Sequence, residues 1–195
     1  MAFKYYVIYK PYEVLTRFTP EGGKSCLADY FKVPPDVYPV GRLDYDSEGL
    51  LVLTNDKALN HRVLSPRYAH EREYWVQVDG AVTAAAVAQL QEGVQITVDG
   101  KPYHTRRCSA SIFEEEPPLP PRNPPIRFRK SIPAPWIKMI LREGKNRQVR
   151  KMTAAVGFPT LRLVRYRMEN LTIAGMQPGE MKALSKEEIF RDLRI

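Results

Sequence analysis

Short segments with strand character dominate this chain of 195 residues, and few helical stretches lie between them, in no repeating order. That pattern disfavours a parallel sheet built from repeated strand–helix units and predicts an α+β fold. Residues 3–9 are rich in aromatic and β-branched side chains and end at Lys10-Pro11. An apolar run, Leu50 to Leu53, marks a second strand. Residues 72–78 alternate, with Tyr74, Val76 and Val78 on one face and Glu73, Trp75 and Gln77 on the other. Residues 95–99 and 106–113, around a turn at Asp99-Gly100, and residues 136–142 and 160–168 complete the predicted strands. Helices are expected at 26–31, stopped by Pro34-Pro35, and at 57–64, behind the cap-like Thr54-Asn55-Asp56. Two more are expected at 84–91, between Thr83 and Gly93, and at 146–156, ended by Gly157 and Pro159.

Length suits one domain or one domain with two lobes. No run approaches the roughly 20 apolar residues that span a bilayer, and the first residues carry no signal-peptide pattern. Cys26 and Cys108 form no Cys-x-x-Cys pair, and His61, His70 and His104 are scattered. No metal site is therefore expected, and reduced thiols in the cytoplasm are the default.

The net charge of +8 is unevenly placed. Residues 122–151 hold ten Lys or Arg against Glu143 alone, a net of +9, while the rest of the chain carries 20 basic and 21 acidic residues. A localised patch of this kind is what contact with a phosphate backbone requires. The same window overlaps residues 114–135, which contain eight prolines. Their charge switches from Glu114-Glu115-Glu116 to Arg127-Phe128-Arg129-Lys130. This stretch reads either as a flexible linker or as an extended arm that docks on RNA or crosses between lobes.

Two segments carry candidate chemistry. Residues 41–55 place Asp44 two positions after Arg42 in a polar, glycine-bounded turn that feeds the strand at Leu50. A turn anchored by a strand can hold a side chain precisely enough for catalysis, although a surface turn satisfying its own backbone groups would look the same. In the second segment, Val149, Met152 and Val156 fall on one face of a helix, Arg147 and Lys151 on the opposite face, and Arg150 to one side. The leading turn, Gly144-Lys145-Asn146, offers amides and an ammonium to a phosphate. An amphipathic helix with a solvated basic face would share the periodicity but not that turn.

Gly41-Arg42-Leu43-Asp44, followed by Ser47-Glu48-Gly49-Leu50-Leu51, resembles the catalytic motif of the RsuA-type pseudouridine synthases. Glu143-Gly144-Lys145-Asn146-Arg147-Gln148-Val149-Arg150 resembles a second motif of that family, and the likeness runs from about residue 5 to residue 181. It implies a central, mostly antiparallel sheet flanked by helices and loops, with an RNA-binding cleft across it. Asp44 is then the essential carboxylate. Arg150 lies against it and favours its ionised form, with Arg42 the second choice for that role. Tyr74 stacks on the target base, although its face, shared with Val76 and Val78, equally suits a core tyrosine. Leu161 or Leu163 lines the pocket, Leu163 being taken.

The substrate-binding set is Arg42, Lys145, Arg147, Gln148, Lys151, Leu163 and Arg165. Pro121-Arg122-Asn123-Pro124-Pro125-Ile126-Arg127 and Phe158-Pro159-Thr160-Leu161-Arg162-Leu163-Val164-Arg165-Tyr166 look most like the short E-type branch, which lacks an N-terminal S4 domain and acts on 23S ribosomal RNA.

The expectation is therefore one catalytic domain over residues 1–195, in two lobes connected by the proline-rich stretch 114–135. It would isomerise a uridine of ribosomal RNA as a cytoplasmic monomer, away from membranes, with neither metal nor organic cofactor. The alternative is a noncatalytic RNA-binding or ribosome-assembly factor on the same scaffold. A glycosidase using Asp44 and Asp46 fits poorly, because carboxylates two residues apart in a turn seldom flank one bond.

Overall fold

The computed structural model describes residues 2–126 and 131–195. Along the chain run β1 (Tyr5–Lys10), β2 (Tyr38–Pro39), β3 (Glu48–Thr54), α1 (Lys57–Leu64), β4 (Arg72–Val78), α2 (Ala84–Glu92), β5 (Gln95–Val98) and β6 (Lys101–His104). They are followed by β7 (Ser109–Ile112), β8 (Trp136–Leu141), α3 (Gln148–Ala155), β9 (Thr160–Met168), β10 (Leu171–Thr172), β11 (Met181–Leu184) and α4 (Lys186–Asp192). This is an α+β fold with mixed strand pairing. The helix expected at 26–31 is a single 3-10 turn, Leu27–Asp29. The chain divides into two compact units, Met1–His70 with Val164–Ile195, and Glu71–Leu163.

In the first unit β1 pairs antiparallel with both β3 and β11, and β3 pairs parallel with β9 at Glu48↔Val164 and Gly49↔Arg165. Every residue of β3 is buried, as an interior strand demands. The parallel contact is close: a Cβ on Gly49, at φ +109°, would stand 2.3 Å from the Arg165 carbonyl oxygen. Only glycine lets the two backbones approach this far. Ile8, Val14, Leu27, Phe31, Val37, Leu43, Leu51 and Leu53 form the adjoining apolar cluster. Asp56 caps α1 by accepting from the Ala58 and Leu59 amides at 3.0 and 3.1 Å, and also accepts from the Tyr5 hydroxyl at 2.9 Å. A cap of this kind contributes about 1 kcal/mol.

In the second unit β8 lies between β4 and β7, antiparallel to both, and β5 and β6 form a separate hairpin. Val76, Val78, Val87, Leu90, Ile137, Met139, Val149, Met152 and Leu163 lie in its core. The predicted apolar face of α3 thus docks inward. Thr83 caps α2 through the Ala86 amide at 3.1 Å.

The proline-rich stretch 114–135 is not the junction that the sequence predicts. Its described residues lie within the second unit, between the paired strands β7 and β8. Its described ends are pinned there. The Gly80 amide donates to the Pro133 carbonyl at 2.8 Å, the Gln77 side chain to Ala134 at 3.1 Å, and Arg162 to Pro120 at 2.8 Å. These bonds satisfy carbonyls that a proline-rich segment has no amides to pair with. Arg127, Phe128, Arg129 and Lys130 lie outside the described residues.

Candidate active site

The first unit holds Asp44, Arg42 and Arg165 of the predicted site. Asp44 is partly buried, and the turn it begins is closed by the Ser47 amide donating to its carbonyl at 3.0 Å. β3 starts one residue later, so the turn is tied directly to the most buried strand of the unit. Arg42 is exposed. Arg165, expected among the substrate contacts, is 5% exposed, and its Nε donates to the Leu50 carbonyl at 2.8 Å. It braces the start of β3 from within.

Lys10 was legible in the sequence only as the end of a strand. The structure buries it completely, with Nζ donating to the carbonyls of Pro11 at 2.9 Å and Val14 at 2.7 Å. Burial pushes its pKa down to about 7, against the opposing pull of Glu48, Asp46 and Asp44. Loss of hydration disfavours the ammonium more than the nearby carboxylates favour it. The Asp44 turn therefore lies in the field of a buried amine poised near neutrality. The signal available in the sequence was a lysine closing an otherwise apolar strand immediately before proline.

The second unit holds Tyr74, Lys145, Arg147, Gln148, Arg150, Lys151 and Leu163. Tyr74 sits on β4 opposite Met139 of β8, partly buried against the apolar cluster. Leu163 is a member of that cluster and is 5% exposed. Arg150 and Lys151 are partly buried on α3, while Lys145 and Arg147 are exposed. The helix begins two residues later than predicted because Arg147 adopts a left-handed backbone, φ 52°.

Gln148, expected to touch substrate, instead turns inward at 4% exposure. Its carbonyl oxygen accepts from the Lys145 amide at 2.9 Å, and its amide nitrogen donates to Glu143 at 2.6 Å. Glu143 also accepts from the Arg106 amide at 2.9 Å and from the Tyr103 hydroxyl. The Lys145 ammonium stands 4.9 Å from the centre of the Tyr103 ring, a cation–π distance. The single acid of the basic window is thus the anchor of its loop, and it fixes residues 143–148 before any ligand arrives.

Among the described residues no group of His, Cys, Asp or Glu is placed to hold a metal, and no helix is long and apolar enough to cross a membrane.

An α+β fold carrying a strand-anchored carboxylate turn and a braced basic loop defines the class to which comparison assigns this chain. It belongs to the RNA pseudouridylate synthase family, whose sequence profile matches residues 4–155, and it is thus an isomerase. A protein of Vibrio vulnificus (strain CMCP6) named ribosomal large subunit pseudouridine synthase E is 47% identical over 182 residues. That match covers 93% of this chain and 75% of the relative. A protein of the same name from Xanthomonas axonopodis pv. citri (strain 306) is 47% identical over 176 residues, covering 89% of this chain and 90% of the relative. A solved pseudouridylate synthase shares the fold, with TM-score 0.79 at 24% identity over 98% of this chain and 74% of its own.

Proposed function

We propose that this protein converts one uridine of 23S ribosomal RNA to pseudouridine, with Asp44 as the carboxylate that acts on the ribose. The observation that carries the reading is the 46–47% identity, over about nine-tenths of the chain, to relatives named ribosomal large subunit pseudouridine synthase E. The strand-anchored turn supports Asp44 as the acting group.

The reaction breaks the bond from N1 to C1′ and forms one from C5 to C1′. C5 gives up a proton and N1 takes one, so the product is an isomer and no electrons are exchanged. Asp44 begins this either by attack on C1′ or by removing the proton at C2′; both need its ionised form. Tyr74 as the ring that stacks on the extruded base, and Arg150 as the cation that favours the ionised carboxylate, belong to the same proposal. Extruding a nucleotide costs a few kcal/mol, and phosphate contacts from Lys145, Arg147 and Lys151 offset that cost. The same reading has the protein working in the cytoplasm as a monomer.

The test is Asp44→Asn on 23S ribosomal RNA purified from cells lacking the enzyme, with pseudouridine read as carbodiimide-dependent reverse-transcription stops. The variant is expected to bind RNA as the parent does and to form no product. Conversion by Asp44→Asn would overturn the assignment.

A further inference from the structure

We propose that Thr16 is a positioning residue for the reaction: its hydroxyl sets the backbone from which Asp44 projects. This rests on the reading of Asp44 given above.

A single hydroxyl grips both main-chain groups of Leu43. Thr16 Oγ1 donates to the Leu43 carbonyl at 2.6 Å and accepts from the Leu43 amide at 3.2 Å, across 27 residues of sequence. The pairing uses the one donor and one of the acceptor lobes a threonine has, so Leu43 is held on both sides of its Cα. The consequence for Asp44 is geometric. The Leu43 carbonyl lies in the same rigid peptide plane as the nitrogen and Cα of Asp44. Orienting that carbonyl therefore orients the start of the next residue. The far side of Asp44 is held by the Ser47 amide on its carbonyl at 3.0 Å.

The clamp is itself fixed. The Leu15 amide donates to the Ser25 carbonyl, and the Leu27 amide donates to the Arg17 carbonyl, each at 2.8 Å. Thr16 is thus pinned at the residue before it and the residue after it. The Leu43 side chain, 8% exposed, packs in the same apolar cluster as Val14 and Leu27. Packing alone would keep Leu43 in the core. It would not fix the rotation of the peptide plane, and a misplacement of about 1 Å at a reacting group can cost on the order of a hundredfold in rate.

The experiment compares Thr16→Val, Thr16→Ala and Thr16→Ser with the parent and with Asp44→Asn. It uses single-turnover conversion of 23S RNA at a temperature where circular dichroism shows every protein folded. Valine keeps the shape of threonine and removes the hydroxyl, alanine makes the same deletion in a smaller side chain, and serine keeps the hydroxyl. Thr16→Val and Thr16→Ala are expected to lower the saturating rate about 10- to 100-fold with RNA affinity unchanged, while Thr16→Ser stays within about threefold of the parent. A full rate in Thr16→Val, an equal loss in Thr16→Ser, or a loss confined to affinity would overturn the clamp. Activity in Asp44→Asn is the separate result that would instead remove the reading on which it rests.

Discussion

Replacing Lys10 by methionine should change how stability depends on pH, and the sign follows from burial. The amine is wholly enclosed, and its pKa falls to about 7 in the folded protein from about 10.5 in an exposed lysine. Below pH 7 both states hold the proton, and the folded state bears the full cost of a buried ammonium. Between pH 7 and 10.5 the unfolded chain still binds a proton that the folded protein has released. Stability must then rise with pH, by up to roughly 1.4 kcal/mol per pH unit. Integrating between pH 7 and pH 9 gives a gain of about 2 kcal/mol.

Methionine has a similar length and no proton, so Lys10→Met lacks this gain. It also leaves the Pro11 and Val14 carbonyls without their donor, a loss that adds an offset without a pH slope. Groups common to both proteins cancel in the difference. Urea unfolding followed by tryptophan fluorescence at pH 7, 8 and 9 should therefore show the parent gaining about 2 kcal/mol on the variant. A difference that stays flat or falls with pH refutes the argument from burial.

Gly49→Ala places a Cβ 2.3 Å from the Arg165 carbonyl oxygen and 2.8 Å from its amide nitrogen, both backbone atoms that cannot swing away. The loss in urea unfolding should reach at least about 3 kcal/mol, and a loss below 1 kcal/mol would show that the two strands part easily. Glu143→Ala separates two arguments of opposite sign. By charge alone, deleting the only acid of residues 122–151 should tighten RNA binding. By structure it frees Gln148, Tyr103 and the Arg106 amide from their shared acceptor, so affinity measured by filter binding should fall several-fold; tighter binding would refute the anchor role.

Local signals carried the helices. Asp56 and Thr83 cap α1 and α2 where the sequence places them, because a cap is a contact between residues two or three apart. β4 and β9 have their predicted limits, since their patterns depend on neighbours alone. The hairpin of β5 and β6 is legible in its first strand and its Asp99-Gly100 turn, but its return strand lies at Lys101–His104 rather than at the expected 106–113. Asp99 and Gly100 have φ values of 49° and 76°, the two positive angles that an Asp-Gly turn between adjacent strands requires. The second strand, Lys101-Pro102-Tyr103-His104, lacks the apolar alternation that would have identified it. The Asp44 motif was legible as a motif, but the hydroxyl that grips Leu43 comes from Thr16, and no local pattern marks a partner so distant.

The burial of charged side chains was the least legible feature, and it is concentrated in one place. Lysine, glutamate and arginine are almost never fully buried unless partnered, so Lys10 and Arg165 read as a strand end and a substrate contact. The first unit instead encloses Lys10, Glu48 and Arg165, at 0%, 1% and 5% exposure. Glu48 begins the strand that follows the Asp44 turn, Arg165 pairs with the next residue, and Lys10 feels the charges of both. Burying three ionisable groups costs stability that an apolar strand would not. Their concentration behind one turn is where local rules are expected to fail for the sake of function. The carboxylate turn itself lies in the field of that amine, so the buried charges and the turn form one electrostatic unit.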